Sequence, residues 1–111
     1  MGSGIVYYIC IDIGGTSIKY GVLDGMGEIF INGSITTKVT QTENFILLDL
    51  KKLIKDILEQ YVTYDIKGIC VSSAGVVDPE KGEIVYSGPT IPGYTGTKIK
   101  EEIEKEFGIR C

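Results

Sequence analysis

The chain has 111 residues, of which 43% are hydrophobic, and a formal net charge of −4. This length is typical of one domain with its own core, and the acidic balance without a basic stripe argues against direct nucleic-acid binding. No apolar run is long enough to span a bilayer, and no signal-peptide pattern is present. The absence of histidine excludes Ser-His-Asp and Cys-His catalysis and histidine-ligated metal sites.

The cysteines indicate the cellular compartment. There are three, without a C-x-x-C spacing, which argues against a disulfide framework and against a zinc site. Cys10 and Cys70 stand inside apolar runs, so we expect both to be buried small hydrophobic residues. Free cysteines of this kind favour a reducing cytoplasm.

The first predicted elements are three strands, with a glycine pair after the first. Residues 5–13 are apolar almost throughout, which predicts a central strand buried on both faces. Residues 16–23 alternate between apolar and polar, and Gly14 and Gly15 predict a tight hairpin between the two runs, because the favoured turns need a positive φ. A third strand is predicted at residues 28–37. Its apolar residues expected on one face are Ile29, Ile31 and Ile35.

The glycine pair also has the chemistry of an anion site. Without Cβ atoms, successive N–H groups can point at an anion from close range. Asp12, just ahead of Gly14 and Gly15, can hold Mg²⁺ directly or through water. Together they indicate a nucleotide phosphate site; a simple hairpin turn is the alternative. A Rossmann site is disfavoured because a β-patterned run follows instead of a helix.

A helix and a fourth strand follow. Thr40 and Glu43 match a capping box, and the segment after them has helical periodicity. Its apolar stripe consists of Ile46, Leu47, Leu50, Leu53, Ile54, Ile57, Leu58 and Tyr61. Residues 66–72 predict a fourth strand, which comes directly after the helix, so we expect it to pair in parallel with the first strand.

The last third of the chain predicts a hairpin and a helix. Residues 76–86 form the hairpin, and Asp78 at its turn is expected to bond nearby backbone N–H groups instead of acting as a base. The helix should begin near Thr95 or Thr97. Its apolar stripe consists of Ile99, Ile103 and Phe107, and Gly108 is expected to end it. Residues 109–111 predict the opening of another strand.

Two parts of the sequence resemble known families. Residues 12–19 resemble the first phosphate motif of the actin, hexokinase and Hsp70 superfamily. Residues 68–79, 82–84 and 91–94, in this order and spacing, are similar to the ROK family of bacterial sugar kinases and sugar-responsive repressors. The resemblance covers residues 7–111. It implies an α/β, ribonuclease-H-like (actin-like ATPase) half-fold, in which a three-stranded antiparallel meander is joined by parallel strands and two main helices.

The resemblance also implies an ATP site. The backbone N–H groups of Gly14, Gly15 and Thr16 would hold the ATP phosphates, and Asp12 would organise Mg²⁺ through water. Lys19 could add positive charge near the phosphates or could be an ordinary exposed strand lysine. These residues would provide one part of the machinery for phosphoryl transfer.

A sugar site is implied next to the fourth strand. Gly75 is the best candidate, because backbone can approach a hydroxyl-rich ligand there. Ser87 and Thr90 are weaker candidates, with solvated loop hydroxyls as the alternative, and Tyr94 is taken as a packing residue. The family's catalytic base lies in a Glu-Asn-Asp segment expected beyond Cys111, so no catalytic residue is predicted within this chain.

Three functional hypotheses follow. In the first, residues 1–4 are a flexible leader or a cloning remnant, and residues 5–111 are the N-terminal lobe of an ATP-dependent kinase for a hexose or N-acetylhexosamine. This kinase would be a cytoplasmic homodimer without nucleic-acid or membrane partners. The chain alone would be inactive and would self-associate. The alternatives are a sugar-sensing ROK-type transcriptional regulator without kinase activity, and a complete small binding module.

Overall fold

The computed structural model describes residues 5–39, 45–86 and 93–111. Its main sheet has the strand order β3-β2-β1-β4, in which β1 pairs antiparallel with β2 and parallel with β4. The strands are β1 (Tyr7–Ile13), β2 (Ser17–Asp24), β3 (Ile29–Thr36) and β4 (Ile66–Ser73). The predicted antiparallel meander with an added parallel strand is confirmed.

Two helices and a hairpin complete the described part of the chain. They are α1 (Ile46–Gln60), the β5 (Val76–Asp78) and β6 (Glu83–Tyr86) hairpin, and α2 (Ile99–Phe107). Neither helix, within the residues described, is long and apolar enough to cross a membrane. The predicted α/β fold class and the two main helices are therefore confirmed.

The helix boundaries differ from the predicted ones. The α1 helix begins after Phe45, which makes no side-chain cap; the predicted capping-box residues Thr40 and Glu43 lie outside the described residues. The α2 helix begins at Ile99, later than predicted, and ends at Phe107. The next residue, Gly108, has a left-handed φ of 65°, as expected of a glycine that caps a helix. Residues 109–111 form no strand.

The hydrophobic core lies on one face of the sheet. Alternate residues of a strand face opposite sides, so Ile9, Ile11 and Ile13 join the buried cluster, to which both helices contribute. The other face of β1 carries the exposed Asp12. The prediction that the first strand is buried on both faces is wrong, because the described helices cover only one of them.

We call the side of the sheet that the described elements leave uncovered the open face. It is formed by Cys10, Asp12, Lys19, Gly21, Leu23, Ile29, Cys70 and Ser72, which line a shallow depression of about 440 Å³. Cys10 is half-buried and Cys70 is exposed. The prediction that both thiols are buried is therefore wrong: in register they are partners on the open face, not on the core face.

A bulge in β3 moves Ile29 onto the open face. Val22 pairs with Ile31, but the next residue, Leu23, pairs with Ile29, so Phe30 is the extra residue. Because Leu23 faces away from the core, its partner Ile29 does too, and Ile29 is 58% exposed. The prediction that Ile29 shares a face with Ile31 is wrong, since an inserted residue reverses the alternation.

Candidate functional site

The turn between β1 and β2 consists of Gly14, Gly15 and Thr16. The Gly14 N–H donates to the Ser17 carbonyl at 2.8 Å, and the Thr37 N–H donates to the Thr16 carbonyl at 2.9 Å. The Thr37 hydroxyl, on a buried side chain, donates to the Gly14 carbonyl at 2.8 Å. These bonds fasten both sides of the turn to the sheet, so its shape is set before any ligand binds.

The same bonds decide which amides can bind an anion. Of the three predicted donors, the Gly14 N–H is already paired within the turn, so only the exposed Gly15 and Thr16 remain. Neither Gly14 nor Gly15 has a positive φ, so the predicted reason for the glycine pair is wrong. A Cβ on Gly14 would lie 3.0 Å from the Ser17 carbonyl oxygen, whereas a Cβ on Gly15 would meet no described atom within 4 Å. Gly14 permits a close backbone approach, and Gly15 leaves open space.

Asp12 lies on the open face immediately before this turn. Its Oδ1 accepts a hydrogen bond from the Ser72 hydroxyl at 2.9 Å, and its side chain is exposed. Lys19 is its register partner in β2 and, within the described residues, has no ion-pair partner. The structure therefore brings a carboxylate, an ammonium group and two free amides to one end of the sheet.

The predicted sugar-side glycine lies at the same end. Gly75 follows β4, with a φ of 90° that disfavours any side chain. The Ala74 N–H donates to the Ile13 carbonyl at 2.7 Å, which ties the end of β4 to the end of β1. The carboxyl ends of neighbouring strands are where open α/β sheets bind ligands. The other candidates, Ser87 and Thr90, lie outside the described residues.

Two residues that the sequence argument kept out of the site have structural roles. The Asp78 carboxylate accepts N–H bonds from Glu80 at 3.0 Å and Lys81 at 3.1 Å, which confirms that it stabilises a turn. Tyr94 is fully buried, and its hydroxyl shares a 2.5 Å hydrogen bond with the Ser73 hydroxyl. Burial raises the pKa of the Tyr94 phenol, and the bond to Ser73 opposes that shift. The assignment of Tyr94 to packing is confirmed.

Sequence reasoning missed two residues that position the site. Ser72 could have been found, because parallel pairing of β1 and β4 places the end of one strand beside the end of the other, and hence Ser72 beside Asp12. Thr37 had no such signal, because its bond to Gly14 joins residues 23 positions apart in the sequence. Both side chains hold backbone or carboxylate atoms at the candidate site.

The sheet and helices form an α/β fold of the actin-like ATPase type. The model of the ROK family matches residues 8–111, and the chain belongs to the ROK family. It is 44% identical over 105 residues to an uncharacterized protein of Clostridium perfringens, covering 94% of this chain and 34% of that protein. It is 33% identical over 98 residues to a beta-glucoside kinase of Listeria monocytogenes, covering 88% of this chain and 31% of that protein. The chain thus spans about a third of the length of these relatives.

Solved structures share the fold. A Listeria monocytogenes protein proposed to be an N-acetylmannosamine kinase matches with a TM-score of 0.73 and 30% identity, over 95% of this chain and 33% of that one. A ROK glucokinase of Streptomyces griseus, solved with glucose and AMPPNP, matches with a TM-score of 0.74 and 24% identity, over 96% of this chain and 31% of that one. A ROK transcriptional regulator, a homologue of the Escherichia coli MLC protein, matches with a TM-score of 0.81 and 17% identity, over 94% of this chain and 26% of that one. The last two likenesses show the fold alone.

Proposed function

We propose that this chain is the N-terminal, phosphate-binding domain of an ATP-dependent sugar kinase that acts on a hexose or an N-acetylhexosamine. The observation that carries the proposal is the preformed turn at Gly15, open in front and adjacent to the exposed Asp12. Membership of the ROK family and the identity with a beta-glucoside kinase support the same activity. In this proposal residues 5–111 are the domain and residues 1–4 are a leader or a cloning remnant.

The exposed groups at the turn fit a nucleotide phosphate. The Gly15 and Thr16 amides would donate to phosphate oxygens, which can approach because no Cβ fills the space at Gly15. Asp12 would hold Mg²⁺ through water, oriented by the Ser72 hydroxyl. Lys19 would add positive charge beside the carboxylate. Bound Mg²⁺ would neutralise charge on the phosphates, and phosphoryl transfer depends mainly on such positioning and electrostatic stabilisation.

The sugar would bind at the neighbouring strand end. Gly75 presents backbone without a side chain after β4, and we propose Ser87 and Thr90 as further contacts. The base that takes the proton of the sugar hydroxyl would lie beyond Cys111, so the chain by itself should not turn over ATP and sugar. The complete enzyme would be a cytoplasmic homodimer.

The test is an assay of the complete protein that contains this sequence. ADP formation would be measured with glucose, a β-glucoside and N-acetylmannosamine, each against a reaction without sugar. We expect ADP formation that depends on one of these sugar classes and that falls at least about tenfold with Asp12→Asn, equivalent to about 1.4 kcal/mol of transition-state stabilisation. Lys81→Ala, at the distant β5–β6 turn, is the control and should leave the rate unchanged.

The second candidate is a sugar-sensing regulator, because a ROK regulator has the same fold. The open turn favours the kinase, since a sensor that transfers no phosphoryl group has no need for exposed amides beside a carboxylate. Saturable sugar binding without ADP formation, and without any effect of MgATP, would support the regulator and contradict the kinase.

A further inference from the structure

Two of the three cysteines are direct neighbours on the open face. Cys10 in β1 and Cys70 in β4 are register partners in the parallel pair, although they are far apart in the chain. Adjacent strands lie about 4.8 Å apart, which falls inside the Cα separation of about 4.4–6.8 Å that a disulfide spans. Side chains of register partners leave the sheet on the same side. The two thiols therefore stand side by side without any rearrangement of the backbone.

No residue in the described part of the chain seals the pair from small molecules. Cys10 is half-buried and Cys70 exposed, and both line the depression of the open face. On the β2 side, the register partner of Cys10 is Gly21, which has no side chain to cover the thiol. Burial raises the pKa of the Cys10 thiol, and the adjacent Cys70 raises it further through its charge and a side-chain hydrogen bond. The two cysteines thus differ in access: Cys70 meets solvent first.

We propose that Cys10 and Cys70 form a thiol–disulfide exchange site that takes a low-molecular-weight disulfide of the glutathione type. The Cys70 thiolate attacks one sulfur of that disulfide, which breaks its S–S bond, forms a mixed disulfide on Cys70 and releases one thiolate. Cys10 gives its proton to water and attacks Cys70 Sγ, which forms the Cys10–Cys70 bond, breaks the mixed disulfide and expels the second thiolate. Both released thiolates then take up protons from water. The two cysteines lose two hydrogens in total, and the small disulfide is reduced to two thiols.

The third cysteine provides an internal control. Cys111 follows α2 and is partly buried, and burial raises the pKa of its thiol to about 11, with the Glu104 carboxylate and then the nearby Cys70 as the next causes. Reactivity of a cysteine follows its thiolate fraction and its access. Cys111 should therefore remain a free thiol while the other two react.

The experiment uses the reduced 111-residue chain, incubated in native buffer with oxidised glutathione, quenched in acid and alkylated. We expect the mass to fall by two hydrogens and the alkylatable thiols to fall from three to one. Peptide mapping should place the new bond between Cys10 and Cys70 and the alkyl group on Cys111. The Cys111→Ser variant should form the same bond, whereas Cys10→Ser should stop at a glutathione mixed disulfide on Cys70.

Other outcomes would overturn the proposal. One is a disulfide bond between Cys70 and Cys111, and another is the formation of disulfides only between chains. A third is that all three thiols stay reduced while a small dithiol in the same solution is oxidised. Circular dichroism checks that each variant is folded. A second measurement uses the unchanged chain and therefore does not depend on the folding of any variant. The same oxidation in denaturant should no longer favour the Cys10–Cys70 disulfide, because that choice of partners depends on the register of β1 and β4.

Discussion

At the scale of single residues, the two glycines of the turn between β1 and β2 have different environments. Gly14 is needed inside the protein, since a Cβ there would crowd the Ser17 carbonyl, whereas Gly15 has open space in front of it. The sequence analysis took both glycines as one motif with one function. Two identical residues give no information about which of their amides is already hydrogen-bonded within the turn. Their different environments lead to a prediction for a substitution that should weaken ligand binding without destabilising the fold.

Gly15→Ala should weaken binding of MgATP while the free energy of unfolding stays within about 0.5 kcal/mol of the original value. The added methyl group occupies the space that phosphate oxygens would use but clashes with no described atom. The measurement is an NMR titration of the chain, in which MgATP should shift the Gly15 and Thr16 amide signals. Gly25→Ala is the matched control, because its Cβ would only contact Val6 at 3.6 Å, at the other end of β2.

Equal shifts in the Gly15→Ala variant and in the original chain would contradict the phosphate site. So would shifts confined to the far end of the sheet, near the Gly25 turn. Urea unfolding of both variants shows whether any loss of binding has a structural cause.

A second prediction at this scale concerns pH and Tyr94. Because burial raises the pKa of this phenol in the folded chain, the unfolded chain loses the proton first as pH rises. The stability contributed by the neutral phenol is therefore complete below about pH 10 and is lost as pH rises above it. Urea unfolding on both sides of this pH should give a steeper loss for the original chain than for Tyr94→Phe.

The control for this experiment is Tyr86→Phe, because Tyr86 is 61% exposed. Its removal should leave the pH dependence as in the original chain. If Tyr94→Phe and Tyr86→Phe lose stability along the same curve, the buried phenol is not the titrating group.

At the scale of elements, the sequence predicted periodic segments well and their ends poorly. The apolar stripe of α1 and the alternation of apolar and polar residues in β2 arise because each element is buried on one side. One-sided burial gives apolar residues a period of 3.6 in a helix and of 2 in a strand, which can be seen in the sequence. The start of α2 was placed too early because Thr95 and Thr97 are good caps by type. In the structure the Thr97 hydroxyl donates instead to the Tyr94 carbonyl at 2.6 Å.

The α1 helix is held mainly by its buried stripe, so Ile54→Ala should destabilise the chain by about 2–5 kcal/mol. Ile54 is fully buried, and its truncation would leave a cavity between the helix and the sheet. Leu48→Ala on the same helix is the control: Leu48 is 65% exposed, and the change should stay within about 0.5 kcal/mol. Urea unfolding followed by circular dichroism measures both, and equal effects would contradict the one-sided packing of α1.

At the scale of the whole molecule, the described elements cover one face of the sheet and leave the other uncovered. The described helices both contribute to the core cluster, and the open face carries Leu23 and Ile29 beside its polar groups. Exposed apolar surface of this kind favours association. Composition could not reveal it, because the apolar run of β1 looks the same whether one or both of its faces are covered.

We expect the chain to self-associate through the open face. Sedimentation velocity at increasing concentration should show a growing fraction of dimers or larger species, and Ile29→Lys should reduce it. Val62→Lys is the control, because Val62 is 78% exposed but lies in the turn after α1. A monodisperse monomer at high concentration would contradict this expectation and favour an independent small binding module.

The sequence by itself determined the order and type of the elements from β1 to α2, the parallel return of β4 and the position of the glycine turn after β1. These follow from local periodicity, glycine chemistry and the short connection of helix to strand. Only the tertiary structure decided that the Gly14 amide is already bonded, that Ser72 supports Asp12, and that Cys10 and Cys70 are neighbours on an uncovered face. Those facts depend on strand register and on which face the helices cover, and both are set by contacts between residues far apart in the chain.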